Sequence, residues 1–209
     1  MIPLNITNII IGITTIVSLM AFRSETTLRE LMMNPYVIQS RGQYYRFLTS
    51  GFIHKDYMHL FVNMISFYFF GTAVENIFSV VFGALGGLYF IALYFIAIVV
   101  SDLPTFFKQK NNPGYNSLGA SGGIAAIIFV FIIFEPVENI CFFIALCMPG
   151  FILGTLYIIF SYYQGKKSKD GINHEAHLYG ALFGLLFCLV VYPASMVSFV
   201  EQIKHWSIF

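Results

Sequence analysis

The chain has 209 residues, of which 58% are hydrophobic and only 10% charged, with a formal net charge of +1 and a mean hydropathy of +0.77. Those values lie far from soluble globular averages and describe a polytopic membrane protein. The near-neutral balance excludes a general nucleic-acid footprint, which needs a basic patch. With seven prolines and no low-complexity stretch there is no linker, so residues 1–209 read as a single membrane domain. Cys141, Cys147 and Cys188 all fall in apolar runs, where a cysteine behaves as a small buried hydrophobe.

A spanning helix needs roughly 20 apolar residues, and six segments qualify. The first is about 6–22; it lacks a basic leading region and a cleavage site, so it reads as a retained helix. A polar, partly aromatic loop, 23–55, follows, long enough to have structure of its own. The second span, about 57–78, holds His59, Asn63 and Glu75; the third, about 79–100, is nearly featureless and follows almost without a loop. A polar loop, 101–118, with Pro104, Pro113 and Gly114 leads to the fourth span, about 119–134. The fifth covers about 139–163, where Pro149-Gly150 predicts a kink. A short basic loop, 165–171, carrying Lys166, Lys167 and Lys169, precedes the sixth span, about 173–191. Long continuous apolar runs fit helices rather than a barrel. The expected fold is all-α, a bundle of six transmembrane helices.

Polar residues inside such segments are costly and call for an explanation. Ser121 lies in Gly119-Ala120-Ser121-Gly122, and His177 in the AHLYGALFG run. Gly119 and Gly123 bracket the serine at small-xxx-small spacing, and Gly180 and Gly184 give the sixth span a smooth stripe, so the two helices can approach closely. Close approach is what would bring a hydroxyl within about 2.6–3.2 Å of its base. His177 would then take the proton of Ser121 for nucleophilic attack on an acyl group. Asp56, Asp102 and Asp170 all fall in predicted loops, so a dyad is expected rather than a triad. His59 and Asn63, at i, i+4, share one helical face and are positioned to stabilise an oxyanion together with the Ser121 backbone N–H.

With Tyr45-Arg46, the run His54 to Asn63 (HKDYMHLFVN), Gly71-Thr72-Ala73-Val74-Glu75, the GASG around Ser121 and the AHLYGALFG around His177, the chain resembles the rhomboid intramembrane serine proteases from Arg46 to about Gly184. The resemblance implies that Ser121 is the nucleophile, His177 the base, and His59 and Asn63 oxyanion donors. It also makes Arg46 and Glu75 structural polar residues and His54 a loop-ordering residue. It implies transmembrane protein substrates, a lipid environment, no cofactor and no obligate protein partner. It further implies a bacterial inner membrane, a polar cavity reaching Ser121 from one aqueous side, and substrate entry past the second or fifth span. Two positions depart from the pattern. Tyr45 replaces a frequent tryptophan, and Ala125 stands where many members carry a Tyr or Phe stacked on the histidine, leaving Tyr179 or Tyr68 to support His177.

Two other classes compete. A metal-dependent protein is disfavoured because His174-Glu175-Ala176-His177 has i, i+3 spacing, not the i, i+4 of a zincin; His174 and Glu175 read instead as solvated interfacial residues. A catalytically inactive relative that binds membrane helices would typically lack the serine or histidine. Orientation gives two answers. Ten of the 11 Lys and Arg fall on the active-site side, leaving Lys204 opposite, so the positive-inside rule makes that side cytoplasmic. The family habit places it externally, and that is the orientation adopted as the expectation.

Overall fold

The computed structural model describes residues 5–142, 146–167 and 171–207. In chain order the helices are α1 Ile6–Arg23, α2 Glu25–Leu31, α3 Pro35–Arg41, α4 Arg46–Thr49, α5 Tyr57–Phe82, α6 Gly86–Gln109 and α7 Ser121–Phe134. Strands β1 Asn139–Phe142 and β2 Leu146–Pro149 then precede α8 Gly150–Lys167, α9 His174–Val191 and α10 Ala194–Lys204. This is an all-α membrane protein with one small hairpin. Among the described residues, three stretches are long and apolar enough to cross a bilayer: Ile6–Arg23, Tyr57–Gln109 and His174–Val191. The second comprises α5 and α6, joined through a 3-10 turn at Gly83–Leu85. Large apolar side chains stay exposed along these helices, among them Ile16, Phe61 and Val80. That is the surface expected against hydrocarbon.

Helix α7 is the central element. It is the most apolar of the helices and is buried around most of its circumference, by Ile124, Ile127, Phe129, Val130 and Ile133 among others. An apolar helix buried on all sides belongs to a core. Its 14 residues make a rod of about 21 Å, short of the roughly 30 Å hydrocarbon thickness.

Four predicted boundaries differ from the structure. The fifth span does not begin at Asn139: Asn139–Phe142 pairs antiparallel with Leu146–Pro149, Asn139 opposite Pro149 and Ile140 opposite Met148, and the helix starts at Gly150. The hairpin also joins Cys141 to Cys147 in a disulfide, so only Cys188 is the buried free thiol that was expected. Short apolar runs suit a strand as well as a helix, and Pro149 supplies the break. The polar loop expected from Ser101 is instead the last part of α6, which continues through Pro104 to Gln109, so Asp102 is helical and 8% exposed. After Pro193 a further amphipathic helix, α10, covers Ala194–Lys204. The predicted basic loop is partly helical, since α8 reaches Lys167; Lys169 and Asp170 lie outside the described residues.

Two charged residues, one half-buried and one buried, fix the periphery. Glu75 accepts from the Ile6 N–H (2.8 Å), the Thr7 N–H (2.9 Å) and the Thr7 hydroxyl (2.7 Å). Its carboxylate thus caps the start of α1, where unsatisfied N–H groups and the helix dipole favour negative charge. Arg46, 6% exposed, donates through Nη1 to the Arg29 and Met32 carbonyls and through Nε to Gln43 Oε1. It ties the short helices of the first loop together. Replacing Glu75 with Ala strands three donors and is expected to lower stability by about 2–4 kcal/mol. Thermal unfolding in detergent measures it, with the Gln variant intermediate.

Candidate active site

Ser121 is the first residue of α7 and His177 lies in the first turn of α9. Their side chains meet, with Ser121 Oγ 2.7 Å from His177 Nε2. Both residues are half-buried. A contact this short between residues on separate helices requires the two backbones to touch. A Cβ built on Gly180 would stand 2.1 Å from the Gly122 carbonyl oxygen, and one on Gly184 would stand 2.4 Å from that of Ala126. The surface of α7 facing α9 is therefore Gly122 and Ala126, not the predicted Gly119–Gly123 stripe. Gly123 instead packs against Ile98 and Tyr94 of α6. Gly119 precedes the helix at φ +118°, a conformation that favours glycine, and faces His59, whose Cε1 would be 2.7 Å from a Cβ there.

The segment leading into Ser121 is tied to the long first loop. Met33 and Ser117 exchange backbone hydrogen bonds at 2.9 Å, Gly119 N–H donates to the Ser50 carbonyl (2.9 Å), and Ala120 N–H donates to His54 Nε2 (3.4 Å). His54 is fully buried. Its Nδ1 lies 3.0 Å from Ser18 Oγ, whose own proton goes to the Phe52 carbonyl. The arrangement is consistent with a neutral ring protonated on Nδ1, leaving Nε2 to accept from Ala120.

Asn63 is buried, and its Nδ2 donates to the His59 carbonyl at 2.9 Å. His59 Nδ1 accepts a long contact, 3.5 Å, from the Lys55 N–H, which leaves Nε2 as the donor on the ring that faces Gly119. At the start of α7 the N–H groups of Ser121, Gly122 and Gly123 have no carbonyl one turn back to receive them, so they point out of the helix end as anion donors.

Support for the imidazole comes from residues the sequence did not single out. Neither Tyr179 nor Tyr68 stacks on His177. Tyr157 of α8 does, with ring centroids 6.4 Å apart and planes 25° from parallel. His174 is 5% exposed rather than solvated, and its ring packs edge-on against His177 (6.0 Å) and against Phe160 of α8 (5.7 Å). Asn173 caps α9, its Oδ1 accepting from the Ala176 N–H at 3.1 Å. An Asn immediately before an apolar helical run is a cap signal that could have been read from the sequence. Glu175 pairs with Lys108 of α6 at 2.8 Å. A cleft of about 90 Å³ between α8 and α9, lined by Ser161, Tyr162, Lys166, Glu175 and Tyr179 among others, opens at this end, but neither Ser121 nor His177 lines it. Among the described residues no group of three or more His, Cys, Asp or Glu could hold a metal ion.

A half-buried hydroxyl–imidazole pair thus lies beside the N–H groups at the start of α7, within a helical membrane bundle. The Rhomboid domain family model matches residues 41–194, and the chain belongs to that family. It is 30% identical over 168 residues to RHOMBOID-like protein 12, mitochondrial, of Arabidopsis thaliana, covering 73% of this chain and 49% of that protein. It is 28% identical over 176 residues to the presenilin-associated rhomboid-like protein, mitochondrial, of Rattus norvegicus (76% and 41%). Rhomboid protein 1, mitochondrial, of Saccharomyces cerevisiae matches at 26% over 147 residues (67% and 40%). The chain thus spans half or less of the length of these relatives. All three carry mitochondrial names, so the bacterial membrane expected from the sequence is not supported by them.

Two outcomes follow from this geometry. Gly180→Ala forces a methyl group onto backbone that cannot swing aside, so it is expected to cost about 1–3 kcal/mol and to part Ser121 from His177, read by thermal unfolding. Burial, with a smaller contribution from neighbouring His59 and against the opposing pull of Asp56, lowers the His54 pKa from 6.5 to about 3. The unfolded chain therefore takes up this proton first, so the stability is fully present above pH 6.5 and is lost as pH falls toward 3. The slope is at most about 1.4 kcal/mol per pH unit. The melting temperature should drop between pH 7 and pH 5, and His54→Gln should flatten that drop.

Proposed function

We propose that this protein is an intramembrane serine endopeptidase that cleaves transmembrane segments of other membrane proteins through a Ser121–His177 dyad. The observation that carries the reading is the 2.7 Å contact between the two side chains. His177 Nε2 removes the Ser121 proton as Oγ attacks the carbonyl carbon of the scissile peptide. The tetrahedral oxyanion forms against the N–H groups at the start of α7, with His59 Nε2–H and the second Nδ2 proton of Asn63 on its other side. Each such donor supplies about 2.7–4 kcal/mol of transition-state stabilisation. The C–N bond then breaks, the imidazolium gives its proton to the departing amine, and water hydrolyses the acyl-serine with His177 again as base.

We read six crossings, formed by α1, α5, α6, α7, α8 and α9, and place the Ser121 end of short α7 below the surface. Substrate entry is assigned to the side of α8. An apolar groove of about 490 Å³ lined by Ile158, Ile159, Tyr162, Tyr163, Leu178 and Leu182 runs between α8 and α9 and opens outward. A substrate helix must become extended to be cut, so Gly or Pro near the scissile bond should favour cleavage.

A fluorophosphonate probe is expected to label the detergent-solubilised wild type, and Ser121→Ala to abolish labelling. His177→Ala is expected to reduce the labelling rate at least a hundredfold, in keeping with a general base worth about 10²–10⁴. Labelling that survives Ser121→Ala overturns the assignment of the nucleophile. A wild type that does not react at all points to a membrane-helix binder instead.

A further inference from the structure

We propose that Asp102 is a positioning residue for the base, holding the side chain of Asn173 so that it caps the helix that carries His177; this rests on the protease reading above. A carboxyl only 8% exposed in an apolar helix is costly, and among the described residues Asp102 forms no ion pair. The hydrogen bonds around Asn173 account for it. An amide side chain has two protons and two lone pairs, and all four are engaged here. Oδ1 accepts from the Ala176 N–H (3.1 Å) and from the Thr105 hydroxyl (3.2 Å). Nδ2 donates to Ser117 Oγ (3.3 Å) and to Asp102 Oδ1 (3.4 Å).

The members of this cluster differ in one respect. Thr105 and Ser117 are hydroxyls that can donate or accept, so they tolerate either orientation of the amide. The Ala176 N–H can only donate, so it holds Oδ1, and Asp102 takes an Nδ2 proton on the other arm of the amide. Asp102 and the Ala176 N–H therefore set the amide together, with Oδ1 toward the first turn of α9 and Nδ2 toward Asp102 and Ser117. The consequence reaches the dyad directly, because the His177 N–H donates to the Asn173 carbonyl at 3.3 Å and His177 is only the fourth residue of the helix. A first turn that frays moves the imidazole off Ser121 Oγ. Through Ser117 the same amide also holds the segment that enters α7, so it links both halves of the dyad to α6. The second tie from α6 to α9, Lys108 to Glu175, has its lysine 55% exposed and contributes little.

The decisive variant is Asn173→Asp. Asp and Asn are equally good caps, so a role confined to capping predicts no loss. If Asp102 orients the amide, two carboxylates now face each other, and the maximal rate of fluorophosphonate labelling (kinact) should fall about tenfold with the saturation constant (KI) unchanged. Adding Asp102→Asn to that variant should restore kinact to within about threefold of wild type, since an amide at 102 can donate to the new carboxylate. Hydrogen exchange of the amides of residues 174–177 should be faster in Asn173→Asp and return to the wild-type rate in the double variant. Asn173→Asp labelling at the wild-type rate, or a double variant that stays as slow as the single one, overturns the proposal. Because the exchange measurement needs no catalysis, an unreactive wild type would count against the protease reading while leaving the tether tested. If Asn173→Asp does not fold, Thr105→Val removes a different member of the cluster. It should raise exchange at residues 174–177, and unchanged exchange there would equally sink the idea.

Discussion

The contact on which the site depends is between two backbones. Where α7 and α9 cross, Gly180 meets the Gly122 carbonyl and Gly184 meets that of Ala126, at separations that leave no room for a Cβ on either α9 glycine. In lipid there is no hydrophobic force to drive two apolar helices together, so close van der Waals packing at small residues has to do it. Serine and histidine have short side chains, and only helices this close let them reach 2.7 Å. The glycines thus serve packing and chemistry at once. That explains why Ser121 and His177 each lie in a run of small residues rather than among the large apolar ones that fill the rest of the core, such as Phe67, Phe78 and Phe90.

A helix pair of this kind fixes a distance but not an orientation, and the remaining degrees of freedom are removed by polar side chains around one end of the bundle. His54 and Ser50 hold the segment before Ser121. Asn173 holds the first turn of α9. Glu75 and Arg46 do comparable work farther out, one by capping α1 and the other by gathering the first loop. Each is a buried or half-buried polar group, and in a low-dielectric setting such groups are strongly stabilising when satisfied and strongly destabilising when not.

How much of this could be read from the sequence follows from which signals are local. Apolar runs located α1, α5, α6, α7 and α9 to within a turn or two at most ends, and the i, i+4 spacing placed His59 and Asn63 on one face because helical geometry is periodic. The juxtaposition of Ser121 and His177 was legible as an expectation because small residues flank both. What failed were elements whose character is set by their neighbours. Asn139–Phe142 and Leu146–Pro149 lie in a run as apolar as a helix, yet pair as antiparallel strands. Asp102 looked like the start of a loop because polar residues and Pro104 follow, whereas α6 continues through them with Asp102 and Thr105 turned to Asn173. The glycine stripe of α7 was misplaced by one residue, since the helix begins only at Ser121 and Gly119 serves a turn.

The support of His177 shows the same limit and carries a structural consequence. Position 125 carries Ala, and no local pattern says which ring packs on the imidazole. The packing comes from α8, as Tyr157 stacked on His177 and Phe160 packed on His174, which itself packs on His177. A ring on α7 would be fixed relative to Ser121. A ring on α8 instead makes the environment of the imidazole depend on a peripheral helix whose other faces expose Leu156, Ile159, Tyr162 and Tyr163. Any displacement of α8 from α9 would therefore uncover His177 in the same motion that widens the groove beside it, so that in this chain the packing of the imidazole and the separation of α8 from α9 are one coordinate rather than two.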